Sequence, residues 1–127
     1  MTESRVWLGE DGIVRIDHGV DPELSLDLIQ RVFEARARLC PQPHPVMVLG
    51  RGRPKVSKEA KAFTQQAMVA RMTTAIAYVA DSYWIRNMVK LYLLFDTPPY
   101  PAFVVSSEAE AVAWLKRYVP KTGNEAA

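Results

Sequence analysis

The sequence predicts an α/β domain on a five-stranded, mostly parallel sheet, with elements in the order β-β-α-β-α-β-α-β-α. Three observations carry this. Short apolar runs of strand length alternate with stretches whose apolar residues recur at helical spacing, the pattern of parallel strands joined by right-handed crossovers. Residues 46–49 are apolar at every position, as expected of a strand covered on both faces. At the N-terminus the runs 6–8 and 13–16 flank Gly9-Glu10-Asp11-Gly12, a Gly-containing four-residue loop that reads as a hairpin.

The first helix follows the hairpin. Ser25 is its expected N-cap, and Asp27 lies in the positive first turn. Leu28, Val32, Ala35 and Leu39 fall at helical spacing with Ile29 and Phe33 beside them, which leaves Arg31, Arg36 and Arg38 to the wet side. His18, beside Asp17, falls on the loop before this helix, where solvent is its expected setting. Pro41, Pro43 and Pro45 end the helix. After the strand at 46–49, Gly50-Arg51-Gly52-Arg53-Pro54 forms a loop, and Ser57 caps a second helix over 58–70 with Ala60, Phe63, Ala67 and Ala70 inward. A third long strand spans 73–80, where Ala75, Ala77 and Ala80 allow a helix to approach closely.

Residues 84–95, WIRNMVKLYLLF, are the most telling stretch. As a helix they exceed the ~100° apolar stripe of a one-sided surface helix. Only Arg86, Asn87 and Lys90 mark a polar edge. The second apolar face needs a groove, a partner subunit, a bound apolar ligand or a membrane surface. Pro98, Pro99 and Pro101 stop this helix, and 102–105 is the last strand. Ser107 with Glu110 three residues on is a capping box. It opens a final helix with Ala109, Val112, Ala113 and Leu115 inward and Trp114 and Tyr118 nearby. Residues 1–120 thus make a single domain, and the polar tail 121–127 is expected to fray.

The chain of 127 residues is large enough to bury a core without staples. A net charge of +2 gives no footprint for nucleic acid. Cys40 is the sole cysteine, which excludes an intrachain disulfide and a thiolate metal cluster and fits a reducing cytosol. The segment MTESRVWLGEDG lacks the regions of a signal peptide, and no apolar run reaches the ~18 residues of a membrane span. A cytoplasmic protein is expected. Cys40, His18 and His44 have no metal-ligand spacing, Cys40 and His44 have no orienting third residue, and no cofactor motif is present.

Four candidate sites remain. Arg51, Arg53, Lys55, Lys58 and Lys61 form the densest basic stretch, at a strand–loop–helix junction whose free N–H groups attract anions; the competing reading is a solvated edge. Ser57 is either a phosphorylation site or a simple cap. Asp81 and Ser82 end the third strand and, with Gly50 and Arg86, either line a shallow polar pocket or cap the next helix. Tyr83, Trp84, Met88, Tyr92 and Phe95 offer an aromatic, Met-containing interface patch or belong to the core.

The runs PVMVLGRG, VSKEAKAF, AYVADSYWIRNMVKLYLLF and PPYPAFVVSSEAEAVAWL resemble the STAS-like fold of anti-sigma-factor antagonists and sulphate-transporter tails. More closely the chain resembles small bacterial proteins with that SpoIIAA-like fold, from about Gly12 to Tyr118. The resemblance implies a sequential strand order and a non-enzymatic regulatory module working through protein–protein contacts. The chain departs from the phosphorylated motif of the antagonists: Lys55-Val56-Ser57-Lys58-Glu59 lacks the acidic residue before Ser57 and the glycine after it, and Gly50 stands where related chains carry Asp. The functional expectation is a homodimeric regulatory or binding module. The alternatives are carriage of a small hydrophobic or lipid molecule under helix 84–95, nucleotide or anion binding over 51–61, and an enzyme using Asp81 or Cys40.

Overall fold

The computed structural model describes residues 4–80, 82–95 and 97–120, with backbone alone for Trp84 and Phe95. Asp81 and the tail 121–127 lie outside the described residues. The hairpin forms as expected: β1 (Arg5–Leu8) pairs antiparallel with β2 (Val14–Val20). Gly9 N–H donates to the Ile13 carbonyl and Gly12 N–H to that of Gly9, closing the loop between them. Gly12 takes φ +83°, a conformation open to glycine at no steric cost.

β2 runs on to Val20, beyond the expected end at Ile16, because its alternation continues: Val14, Ile16 and His18 are all buried on one face. His18 is therefore a core residue and not a loop histidine in solvent. A two-residue strand β3 (Glu23–Leu24) precedes α1 (Leu26–Leu39). Ser25 caps α1, its Oγ accepting from Leu28 N–H. β4 (His44–Arg51) is central, and β5 (Lys55–Val56) pairs parallel with β3 in a small second sheet that the sequence pattern did not reveal.

The expected helix over 58–70 is two helices, α2 (Lys58–Thr64) and α3 (Ala67–Met72). Local polar bonds explain the break. Thr64 Oγ1 donates to the Lys61 carbonyl, and the Thr64 carbonyl accepts from the Tyr100 hydroxyl, so it is already engaged from outside the helix. The break rotates α3. Val69 is buried in place of the expected Ala67, which is exposed. β6 (Thr73–Val79), α4 (Tyr83–Phe95), β7 (Ala102–Val105) and α5 (Glu108–Leu115) follow, then one 3-10 turn (Lys116–Tyr118). Ser107 Oγ accepts from Glu110 N–H at the start of α5, while the Glu110 carboxylate turns to the Ser106 hydroxyl, so half of the expected capping box forms. In α5 the buried residues are Ala111 and Leu115; Ala109 and Ala113 are exposed, contrary to expectation.

The main sheet has the order β1-β2-β4-β6-β7, and every pair after the hairpin is parallel. Strands thus add in sequence order, and right-handed crossovers place the connecting helices on one face. α5 covers the other face, where Ile13, Met47, Ala75, Ala77, Val105, Ala111 and Leu115 form a tight cluster. The residues between them in each strand, Ile16, Val46 and Ile76 among them, point toward α1 and α2.

Candidate functional site

The two faces of this sheet are packed differently. On the α5 face the alanines of β6 let the helix seat directly, and Ala75, Ala77 and Leu115 have no exposed surface. On the other face α4 approaches the sheet chiefly along the edge strand β7. Its first turn is tethered by Arg86, whose Nη1 donates to the Ala80 carbonyl at 2.9 Å. Between α4, α2, α1 and the sheet lies a cavity of about 670 Å³. Its floor is Ile16, Val46, Val48, Ile76 and Tyr78. Its walls are Ile29, Val32 and Phe33 of α1, Phe63 of α2, and Ile85, Met88, Val89 and Tyr92 of α4. The size and the predominantly apolar lining are those of a small-molecule site.

Lining residues that also reach solvent mark the mouth: Arg51, Gly52 and Val56 on the β4–β5 side and Leu91 on α4. Lys61 stands beside it with Nζ 5.6 Å from the Tyr92 ring centre, a cation–π distance that links α2 to α4.

The closed end carries the polar groups. Arg36 was placed on the wet side of α1 by periodicity, but it is 4% exposed and lines the cavity. Its Nε donates to His44 Nε2 at 3.1 Å, and its Nη2 donates to Thr73 Oγ1 at 2.8 Å and to the Met72 carbonyl at 3.3 Å. All three acceptors are neutral. Among the described residues no carboxylate pairs with this guanidinium, and Nη1 makes no hydrogen bond. Among the described residues no fully inaccessible side-chain nitrogen or oxygen lacks a partner, so Nη1 keeps some accessible surface, and Arg36 lines the cavity. Burial draws the Arg36 pKa down to about 10, which leaves it charged at neutral pH.

Tyr78 and Tyr100 lie close enough to Arg36 to feel its charge. The Tyr100 hydroxyl donates to the Thr64 carbonyl at 3.1 Å, whereas the Tyr78 hydroxyl has no partner among the described residues. Burial pushes the Tyr100 phenol up to about 12 and Tyr78 well above the ordinary phenol value. His44 is pulled down to about 4 by burial and by the facing Arg36. With Nε2 accepting from Arg36, its Nδ1–H donates to the Gln42 carbonyl at 2.7 Å, so neither ring nitrogen is left for Cys40. Cys40 ends α1, with its N–H on the Arg36 carbonyl. His18 also lines the cavity, with Nδ1 2.7 Å from Ser4 Oγ, and burial brings it to about 4.

The candidates from sequence are dispersed. Arg51 edges the cavity mouth, while Arg53 and Lys58 are exposed. The loop is held from inside by Asp21: its N–H donates to the Arg51 carbonyl, and its Oδ1 accepts from Arg53 N–H at 2.8 Å. That backbone N–H is therefore engaged within the protein. Ser57 caps α2, its Oγ accepting from Ala60 N–H at 3.1 Å. Ser82 is exposed, with its carbonyl accepting from Arg86 N–H. Asp81 lies outside the described residues. A second, more polar recess sits at the carboxyl ends of the strands, but its lining is Asp17, Gly19, Gly50, Arg51, Ser106 and Glu108, with Val20, Leu49, Val79 and Ser107, and neither Ser82 nor Arg86 reaches it. The aromatic patch divides: Tyr83 is 73% exposed, Met88 and Tyr92 line the cavity, and the side chains of Trp84 and Phe95 lie outside the description. Sequence reasoning missed Arg36, His44, Tyr78 and Tyr100. The available signal was the arginine at 36 in register with Val32 and Phe33 on the apolar side of α1. Among the described residues no group of three or more His, Cys, Asp and Glu is placed to hold a metal ion, and no helix is long and apolar enough to cross a membrane.

With this geometry in hand, comparison with known proteins places the chain. Residues 6–119 match the family described as Domain of unknown function (DUF7793). The chain belongs to the DUF7793 family. No curated protein matches it. In structure it is similar to an uncharacterized protein from the DUF3478 family with a SpoIIAA-like fold, from Shewanella loihica PV-4. The two share 11% identity over 91% of this chain and 95% of that one, with a TM-score of 0.59. The domain thus has the SpoIIAA-like fold, and the sequential strand order implied by the resemblance is the order observed.

Proposed function

We propose that this SpoIIAA-like domain is a non-enzymatic binding module that takes up a small, mainly apolar molecule beneath α4. The observation that carries this is the apolar cavity of about 670 Å³ held open between the helices and the sheet. The titratable groups around it favour binding over acid–base chemistry. His18 and His44 sit near 4, Tyr100 near 12 and Arg36 near 10, so none of these is poised near neutral pH as a general acid or base must be. The test is mass spectrometry of gently purified protein under native and denaturing conditions, repeated with Val89→Trp, which plugs the cavity from α4. A bound small molecule released on denaturation and absent from the plugged variant supports the reading. Protein free of ligand that also binds no alkyl probe refutes it.

A second reading concerns the outer face of the same helix. Tyr83 and Leu94 are more than 70% exposed, and Leu91 is 56% exposed. Large apolar side chains are worth ~1.5–3 kcal/mol each when buried. Two copies meeting about a two-fold axis would bury both sets in one contact. Under this reading the protein sediments as a dimer at micromolar concentration, and Leu94→Lys dissociates it. A concentration-independent wild-type monomer removes the reading and leaves the cavity proposal untouched.

A further inference from the structure

Arg36 is a cation at the closed end of an apolar cavity with no counter-ion among the described residues. A buried charge is costly unless it is paired, and the neutral acceptors His44, Thr73 and Met72 satisfy its geometry without neutralising it. One donor, Nη1, makes no hydrogen bond to the described residues, and Arg36 lines the cavity. Tyr78, whose hydroxyl has no partner among the described residues, lines the same space and lies near enough to Arg36 to feel its charge. A guanidinium and a phenol lining one hydrocarbon-walled space offer N–H and O–H donors to an oxyanion. The lining beyond them is apolar and demands an alkyl or similar body behind that group.

We infer that the cavity binds an anionic amphiphile of the long-chain monocarboxylate class, inserted head first, with its carboxylate on Arg36 and Tyr78 and its chain running toward Leu91 and the mouth. This deepens the carrier reading above and rests on it. Arg51 at the mouth offers the opposite orientation, with the head outside. The buried end is favoured because a charge-assisted hydrogen bond shielded from water exceeds one at an exposed arginine, and because a carboxylate there supplies the anion that Arg36 lacks.

The experiment is calorimetric titration of the folded protein with dodecanoate and, separately, with 1-dodecanol, which share a chain length and differ in head charge. Wild type should bind the acid about tenfold or more tighter than the alcohol, the worth of a buried charged hydrogen bond. Arg36→Met should bring the two within about threefold, while Arg51→Ser keeps the wild-type preference. Tyr78→Phe, which deletes only a hydroxyl, should weaken the acid several-fold and leave the alcohol unchanged; it decides the point if Arg36→Met does not fold. Equal wild-type affinities overturn the head-first inference and leave the carrier reading standing. A preference lost in Arg51→Ser but kept in Tyr78→Phe overturns it in favour of a head at the mouth. Binding of neither probe removes the carrier reading itself.

Discussion

Lowering the pH from 6.5 to 4 should destabilise this protein through two buried histidines, and His44 allows the magnitude to be worked out. In the folded chain its ring is held neutral. Nδ1–H donates to the Gln42 carbonyl, Nε2 accepts from Arg36 Nε, and the side chain is 1% exposed. A second proton would sit on Nε2, facing the guanidinium. The folded pKa is accordingly about 4 against 6.5 for an ordinary histidine. Between those values the unfolded chain takes up a proton that the folded chain refuses, so stability rises with pH across the window and is lost as pH falls through it. At ~1.36 kcal/mol per pH unit the gap amounts to about 3 kcal/mol for His44. His18, held near 4 by burial, adds a loss of the same sign in the same window. Urea unfolding at pH 7, 5.5 and 4.5 measures the slope, and His44→Gln should remove about half of it. The NMR titration of the His44 ring gives the folded value directly, whatever the variant does. A wild-type stability flat over this range, or a His44 ring that titrates near 6.5, would refute the assignment of a neutral, Arg36-facing imidazole.

Two further outcomes follow from the packing. Gly52 has φ +76°, and a Cβ there would collide with the Asp21 carboxylate that holds the loop, so Gly52→Ala should cost ~1–2 kcal/mol in urea midpoint stability and loosen residues 50–54 to proteolysis. Ala77 is fully buried in the cluster under α5, so Ala77→Leu should overpack that face and cost ~1–3 kcal/mol, visible as a lower melting temperature.

The strand runs, the prolines and the capping serines were enough to place the five strands of the main sheet and the helices α1, α4 and α5, because those signals are local. Ser25, Ser57 and Ser107 each cap the helix they were expected to cap. The site was legible only in outline. The surplus apolar face of α4 pointed to a groove or partner, and Met88 and Tyr92 do line the cavity. Its polar end was not legible because each residue there departs from the default for its type. An arginine is buried by a partner eight residues on, and a histidine after a proline-rich segment opens a central strand. Tyr100, in the loop before β7, reaches back to Thr64. Such pairings are tertiary: helical periodicity aligns Arg36 with Val32 and Phe33 but names no partner for it. The break between α2 and α3 was missed for the same reason.

The hollow face sets a final energetic constraint. The space of about 670 Å³ beneath α4 opens to solvent at its mouth, so without a ligand its largely apolar walls face water, which is unfavourable. Water satisfies these walls poorly, because apart from a few polar groups such as Arg36 and Tyr78 they are apolar. Hydrocarbon suits the remaining walls, since burying it recovers ~25 cal/mol for each Å² removed from water. Occupancy and stability should accordingly be linked. At a free ligand concentration a hundred times its Kd, the folded state gains ~2.7 kcal/mol by mass action. Protein stripped of apolar molecules by hydrophobic resin should melt at a lower temperature than the same protein reloaded with dodecanoate, and Val89→Trp, with the cavity plugged, should show no such difference. A stripped wild type as stable as the reloaded protein would mean that the space needs no occupant, and the carrier reading would lose its energetic basis.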